Sequence, residues 1–86
     1  MSVEVQKIDG NTFNVTVQGG RTTQHKVTVS DEYHQKLTGG QESKEQLVKR
    51  SFDFLLEREP NTSILSSFDL PVIGRYFPEY EGVIKM

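Results

Sequence analysis

Apolar residues recur along this chain with two different periods, and the change falls at Ser30. Before it, Val3 and Val5 alternate with Glu4 and Gln6, and Phe13, Val15 and Val17 alternate with Asn14, Thr16 and Gln18. His25, Val27 and Val29 alternate in turn with Gln24, Lys26 and Thr28. A period of two gives a strand one buried and one wet face. Asp9-Gly10-Asn11 and Gly19-Gly20-Arg21 separate the runs and offer residues that tolerate the positive φ of tight hairpins. Residues 1–29 therefore predict a three-stranded antiparallel meander with one polar face.

After Ser30 the spacing becomes helical. Ser30 is a candidate N-cap, with Asp31 and Glu32 favourable against the helix dipole in the first turn. A short helix from about Asp31 to Leu37 is expected, stopped by Gly39-Gly40. Ser43-Lys44-Glu45-Gln46 fits a capping box and opens a second helix that should run to about Glu59, where Pro60 ends it. At helical spacing, Phe54, Leu47, Leu55, Val48, Phe52 and Leu56 span an arc of about 200°. The sheet can cover one side of so wide an arc; the C-terminal segment or a second subunit must cover the other. Asp69 is expected to cap a further short helix, with Leu70 and Pro71 in its first turn and its end near Phe77, before Pro78. Ile64, Leu65, Phe68, Val72, Ile73 and Phe77 have the spacing of a packed face, so Leu65 is expected in the core with them.

The expected fold is α+β: a three-stranded antiparallel β-meander followed by two to four helices packed on one face. One compact domain spans residues 1–86, with the meander in 1–29 and the helical part in 30–86. A chain of 86 residues has room for one core. Val, Ile, Leu and Phe supply 24 of those residues, more than the roughly one in five below which disorder is the default. Domains this small bury only about 60 % of their unfolded surface, so dimerisation would add to stability.

Composition excludes several kinds of chemistry. With no Cys there is no disulfide framework, no thiolate nucleophile and no cysteine zinc site. No apolar run approaches the ~18–20 residues that cross a bilayer. The opening MSVEVQKIDG has no apolar signal segment, and a cytoplasmic protein without membrane or metal partners is expected. The net charge is −2 and the pI about 5.6, which argues against a nucleic-acid binder that is basic over its whole surface. Charge is evenly spread between the two halves, with no basic or acidic tail.

The residue types that carry catalysis are sparse. His25 and His34 are nine positions apart, without metal-ligand spacing. His25 shares the face of Val27 and Val29, where a histidine most often completes a core edge; a small enzyme would have to pair it with a nearby acid. Neither a nucleophile motif nor a phosphate-cradling glycine loop is present, and no cofactor is expected. The densest tail feature is Tyr76-Phe77-Pro78-Glu79-Tyr80, with Arg75 beside it. Arg75, Tyr76 and Tyr80 are candidate partner-binding residues, as a stacking or peptide-docking surface. The plainer alternative places Phe77 in the core and the tyrosines at its rim with wet hydroxyls.

The segment HKVTVS–DEYHQKL–TGGQE–SKEQLVKR…LLERE, residues 25–59, resembles a ribbon–helix–helix unit. That resemblance implies an antitoxin-like dimeric DNA regulator in which two chains pair their strands into a ribbon lying in the major groove. Gln24, Lys26 and Thr28 would then face base edges, and Ser43 and Lys44 would clamp a phosphate. The stretch SILSSFDLPVIGRYFPEYE is also similar to small uncharacterised bacterial proteins, a similarity that implies no function. Together these readings lead us to expect a small non-catalytic interaction or regulatory domain that binds a protein partner or its own copy. A DNA-binding regulator is the alternative.

Overall fold

The computed structural model describes residues 2–85. β1 (Ser2–Lys7) pairs antiparallel with β2 (Thr12–Gln18), setting Val3 against Val17 and Val5 against Val15. β3 (Thr23–Thr28) continues the meander, with His25 opposite Val15 and Val27 opposite Phe13. Opposed residues share a face. Phe13, Val15, Val17, His25 and Val27 are therefore buried together, while Glu4, Gln6, Gln24 and Lys26 lie on the exposed face.

The first hairpin turns by a different device from the one expected. Among the described residues, positive φ occurs at Gly39 and Gly40 and not at Gly10. The Asp9 carboxylate instead accepts hydrogen bonds from the Asn11 and Thr12 backbone N–H groups, both at 2.9 Å. An aspartate side chain can thus take the place of a left-handed residue by mimicking a turn of backbone.

The meander is the larger part of a four-stranded mixed sheet of order β1-β2-β3-β4. β4 (Ser67–Asp69) lies along the far side of β3 and runs parallel to it, with Val27 opposite Phe68. No strand is expected there from sequence, because three residues cannot display an alternation. Asp69 does not cap the next helix with its side chain. Its carboxylate accepts the Thr28 hydroxyl across the sheet, and the segment after it is a 3-10 turn (Leu70–Val72) running into the single turn α3 (Ile73–Tyr76), numbered here after the two longer helices.

Those helices start where their serines predict. In α1 (Asp31–Thr38) the Ser30 hydroxyl accepts from Tyr33 N–H. In α2 (Lys44–Leu56) Ser43 accepts from Gln46 N–H. Gly39, at φ 63°, ends α1 with its N–H on the Gln35 carbonyl. α2 stops three residues short of Glu59. Arg58 and Glu59 N–H both close onto the Leu55 carbonyl at 2.9 Å, since the residue before a proline is steered out of the helical region. A 3-10 turn (Asn61–Ser63) follows, and α4 (Tyr80–Ile84) ends the fold.

The chain itself covers both sides of the wide arc on α2. Leu47, Val48, Phe52, Phe54 and Leu55 are all buried. On the side away from the sheet, Phe54 meets Phe77 edge-on at 5.9 Å and Tyr80 at 5.3 Å. Two expectations about individual residues are corrected here. Leu65 is not in the core but 47 % exposed, and Tyr80 is not at the rim but fully buried.

Candidate functional site

His25 points into the sheet's apolar face and is 2 % exposed. Its Nδ1 lies 2.7 Å from the Leu65 carbonyl oxygen and its Nε2 lies 2.9 Å from Thr23 Oγ1. A carbonyl can only accept, so Nδ1 carries the proton and Nε2 accepts from the Thr23 hydroxyl. That hydroxyl accepts in turn from Asn61 Nδ2 at 2.9 Å, and the same amide donates to the Arg21 carbonyl at 2.7 Å. Every donor in this chain finds one acceptor. Both ring nitrogens are engaged, one by the Leu65 carbonyl and one by the Thr23 hydroxyl, so the histidine clasps β3 to the segment at Leu65.

The clasp ties Asn61 and Leu65 to the start of β3, and a cleft of about 160 Å³ is lined in part by the segment between them. Leu55, Ile64, Leu65, Phe68, Val72 and Tyr76 are among its lining residues, with Glu59 as the single charged one. Leu65 and Tyr76 rim it at 47 % and 66 % exposure. A shallower hollow shares Leu65, Phe68 and Val72 and continues over Lys26, Thr28, Ser67 and Asp69 to the outer edge of β4. Burial raises the Glu59 carboxyl above the usual glutamate range. No ion pair reaches it among the described residues.

The candidates from sequence scatter over the molecule. Tyr76 lines the cleft, and Arg75 is exposed on α3 next to it. Tyr80 faces the other way: its hydroxyl meets Ser51 Oγ at 2.6 Å, and burial pushes its phenol up to about 12. The three therefore do not form one surface. Gln24 and Lys26 are exposed on the polar face of the sheet, while the Thr28 hydroxyl is spent on Asp69. Their strand has a neighbour on each side, so a ribbon made of two copies of β3 would require β4 to leave. Ser43 caps α2. Lys44 Nζ donates to the Gly10 carbonyl at 3.0 Å and to Asn11 Oδ1 at 2.8 Å, and pairs with Asp31. Of the two residues expected to clamp a phosphate, Ser43 is thus occupied as a helix cap and Lys44 staples the first hairpin to α1.

Apart from Tyr76, the lining residues, Leu65, Phe68, Val72 and Glu59 among them, were assigned to no site by sequence reasoning. One signal was available for Leu65. Ile64 has extended backbone at φ −77°, ψ 138°, and neighbouring side chains of an extended chain point to opposite sides. An Ile-Leu doublet there must send one of its members outward.

Comparison of the chain with protein-family models, with curated proteins and with solved structures returns no match. Among the described residues, no group of three or more His, Cys, Asp or Glu side chains could hold a metal ion. No helix among them is long and apolar enough to cross a membrane.

Proposed function

We propose that this chain is a non-catalytic interaction domain of regulatory type, whose protein partner docks on the cleft beside β4. The observation that carries this reading is the exposure of Leu65 and Tyr76 on one continuous apolar surface with the half-buried Phe68, Val72 and Phe77. Contiguous apolar surface rimmed by polar residues is a feature of binding sites, and a large aromatic at the rim is a typical anchor. The remaining exposed large apolar residues, Ile8 and Val83, are not among those lining the cleft. Catalysis finds less support, since His25 has both nitrogens committed.

The test compares three purified proteins as bait in a cell lysate: the wild type, a Leu65→Asp/Tyr76→Asp variant, and an Ile8→Asp/Val83→Asp control. The cleft variant should lose its partner while the control retains it, with both variants keeping the wild-type unfolding midpoint. The complex should then re-form from the two purified components. Equal capture by all three proteins would overturn the reading.

A further inference from the structure

The cleft lies beside an open strand edge. Among the described residues, β4 has β3 on one side and no strand on the other. Lys26 N–H donates to the Ser66 carbonyl at 2.8 Å, and the parallel register places Lys26 opposite Ser67 and Val27 opposite Phe68. Alternate residues of a paired strand turn their backbone groups towards the neighbour. Ser66 and Phe68 therefore face β3, and the N–H and C=O of Ser67 and the N–H of Asp69 are turned to the open edge, where they form a template for another strand.

The chemistry next to that edge specifies more than a generic apolar partner. A cleft of about 160 Å³ is close to the ~150 Å³ engineered cavity that takes up benzene, so it suits one leucine- or phenyl-sized side chain. Glu59 on its wall has no ion pair among the described residues and is complementary to a cation. In an extended chain the residues two positions either side of an anchor lie on the anchor's own face. A basic residue at that spacing therefore reaches the same wall as the anchor. A second copy, with the same net charge of −2, offers no such complementarity overall.

Resting on the interaction reading above, we infer that the partner presents an extended segment that adds to β4 as a fifth strand, seats one large apolar side chain in the cleft, and sets a Lys or Arg against Glu59. Main-chain hydrogen bonds supply affinity in such strand addition, and the pocket supplies selectivity.

The experiment titrates the blocked peptide acetyl-Arg-Thr-Leu-Thr-Arg-amide into the full ¹⁵N-labelled chain and follows backbone amide resonances. Saturable shifts are expected at Leu65, Ser67, Asp69 and Tyr76. Exchanging both arginines for glutamate should weaken binding about tenfold, and Glu59→Gln should remove that preference. Two further peptides, one N-methylated on the leucine and one on both threonines, test the geometry. A strand offers alternate N–H groups to its neighbour, so one of the two should lose binding and the other keep it. Shifts located elsewhere, absence of binding, or dimerisation of the chain through the same amides would overturn the inference. Equal binding by both methylated peptides would overturn strand addition alone, leaving the cleft as a docking site. Loss of the interaction reading itself is seen separately, as unchanged partner capture by the Leu65→Asp/Tyr76→Asp variant.

Discussion

Residues 2–28 and residues 61–84 are assembled by different means. The first three strands are sequential neighbours joined by short turns, and their register follows from side chains that alternate within each strand. The C-terminal segment buries Leu70, Ile73, Tyr80 and Ile84 in the same core, but its path is set by single polar contacts between residues far apart in the chain. His25 takes the Leu65 carbonyl, Asn61 reaches back to Arg21 and Thr23, and Tyr80 meets Ser51. Arg58 pairs with Glu79 while its guanidinium lies 3.6 Å over the Phe54 ring. Each strand of the meander repeats the same kind of contact along its length, whereas each polar contact of the C-terminal segment occurs once. The candidate docking site is built from the second kind of structure, in keeping with the tendency of binding surfaces to lie on the less redundantly held parts of a fold.

The largest expected effect comes where the two regions meet. The Phe52 ring is fully buried, 5.4 Å from His25 in the meander and 6.1 Å from Phe68 in β4. Phe52→Ala should destabilise the chain by about 3–5 kcal/mol, the range for a truncated core aromatic. Urea unfolding of this variant beside the half-buried Val5→Ala measures the contrast. A cost for Phe52→Ala no larger than that of Val5→Ala would show that the junction between the two regions contributes little to stability.

Asn61→Ala tests a single clasp. It removes two part-buried hydrogen bonds, to the Arg21 carbonyl and the Thr23 hydroxyl, each contributing about 0.5–1.5 kcal/mol. The loss should also be local. Amide hydrogen exchange at Phe68 and Ile64 should quicken well beyond that at Val15 or Val17. A uniform increase over both regions would mean that the clasp supports the whole fold and not the tail alone.

The same division decides how much was legible in the sequence. Phe13, Val15 and Val17 announce their strand because the alternation is local, and Ser30 and Ser43 announce their helices because a cap bonds within three residues. β4 offers no such signal. Ser67–Asp69 becomes a strand only because β3, forty residues earlier, holds it there, partly through His25 and Thr28. Leu65 and Tyr80 exchanged their expected environments for the same reason. Their surroundings are set by residues far away in sequence, His25 holding the Leu65 carbonyl and Ser51 meeting the Tyr80 hydroxyl. The candidate site was correspondingly hard to see: Tyr76 was readable as an exposed aromatic, but its pairing with Leu65 and Glu59 exists only after the tail has docked.

Ser43→Ala removes the N-cap of α2 and should cost about 1 kcal/mol. Because α2 underlies both regions, hydrogen exchange should rise in both to a similar degree. A rise confined to the tail would indicate that the meander stands without α2, sharpening the contrast further.

The smallest effect concerns Glu59 and is read from its dependence on pH. Burial lifts this carboxyl above the ordinary glutamate range. An acid with a raised folded value binds its proton more tightly in the native state. It therefore costs the fold stability as pH rises through the window between the ordinary and the raised value. Four other acids, three exposed and Glu81 half-buried, work in the opposite sense: hydrogen bonds lower Asp9 (from Asn11), Asp31 (from Lys44), Glu79 (from its own backbone and Arg58) and Glu81 (from Tyr33 and Lys36). Their contribution is present above the ordinary carboxylate range and is lost as pH falls through the lowered values. Glu59→Gln removes only the opposing member. The variant should be slightly more stable than the wild type at neutral pH, and the gap should close once pH falls below about 4, where glutamate is protonated even when unfolded. Urea midpoints across that range measure it; a gap that is constant with pH would mean that Glu59 is fully solvated and has nothing to gain from a partner's cation. A gap that closes on acidification, together with loss of the preference for a basic peptide, would show one carboxylate lowering stability in the free chain while serving recognition in the complex, a trade common at binding sites.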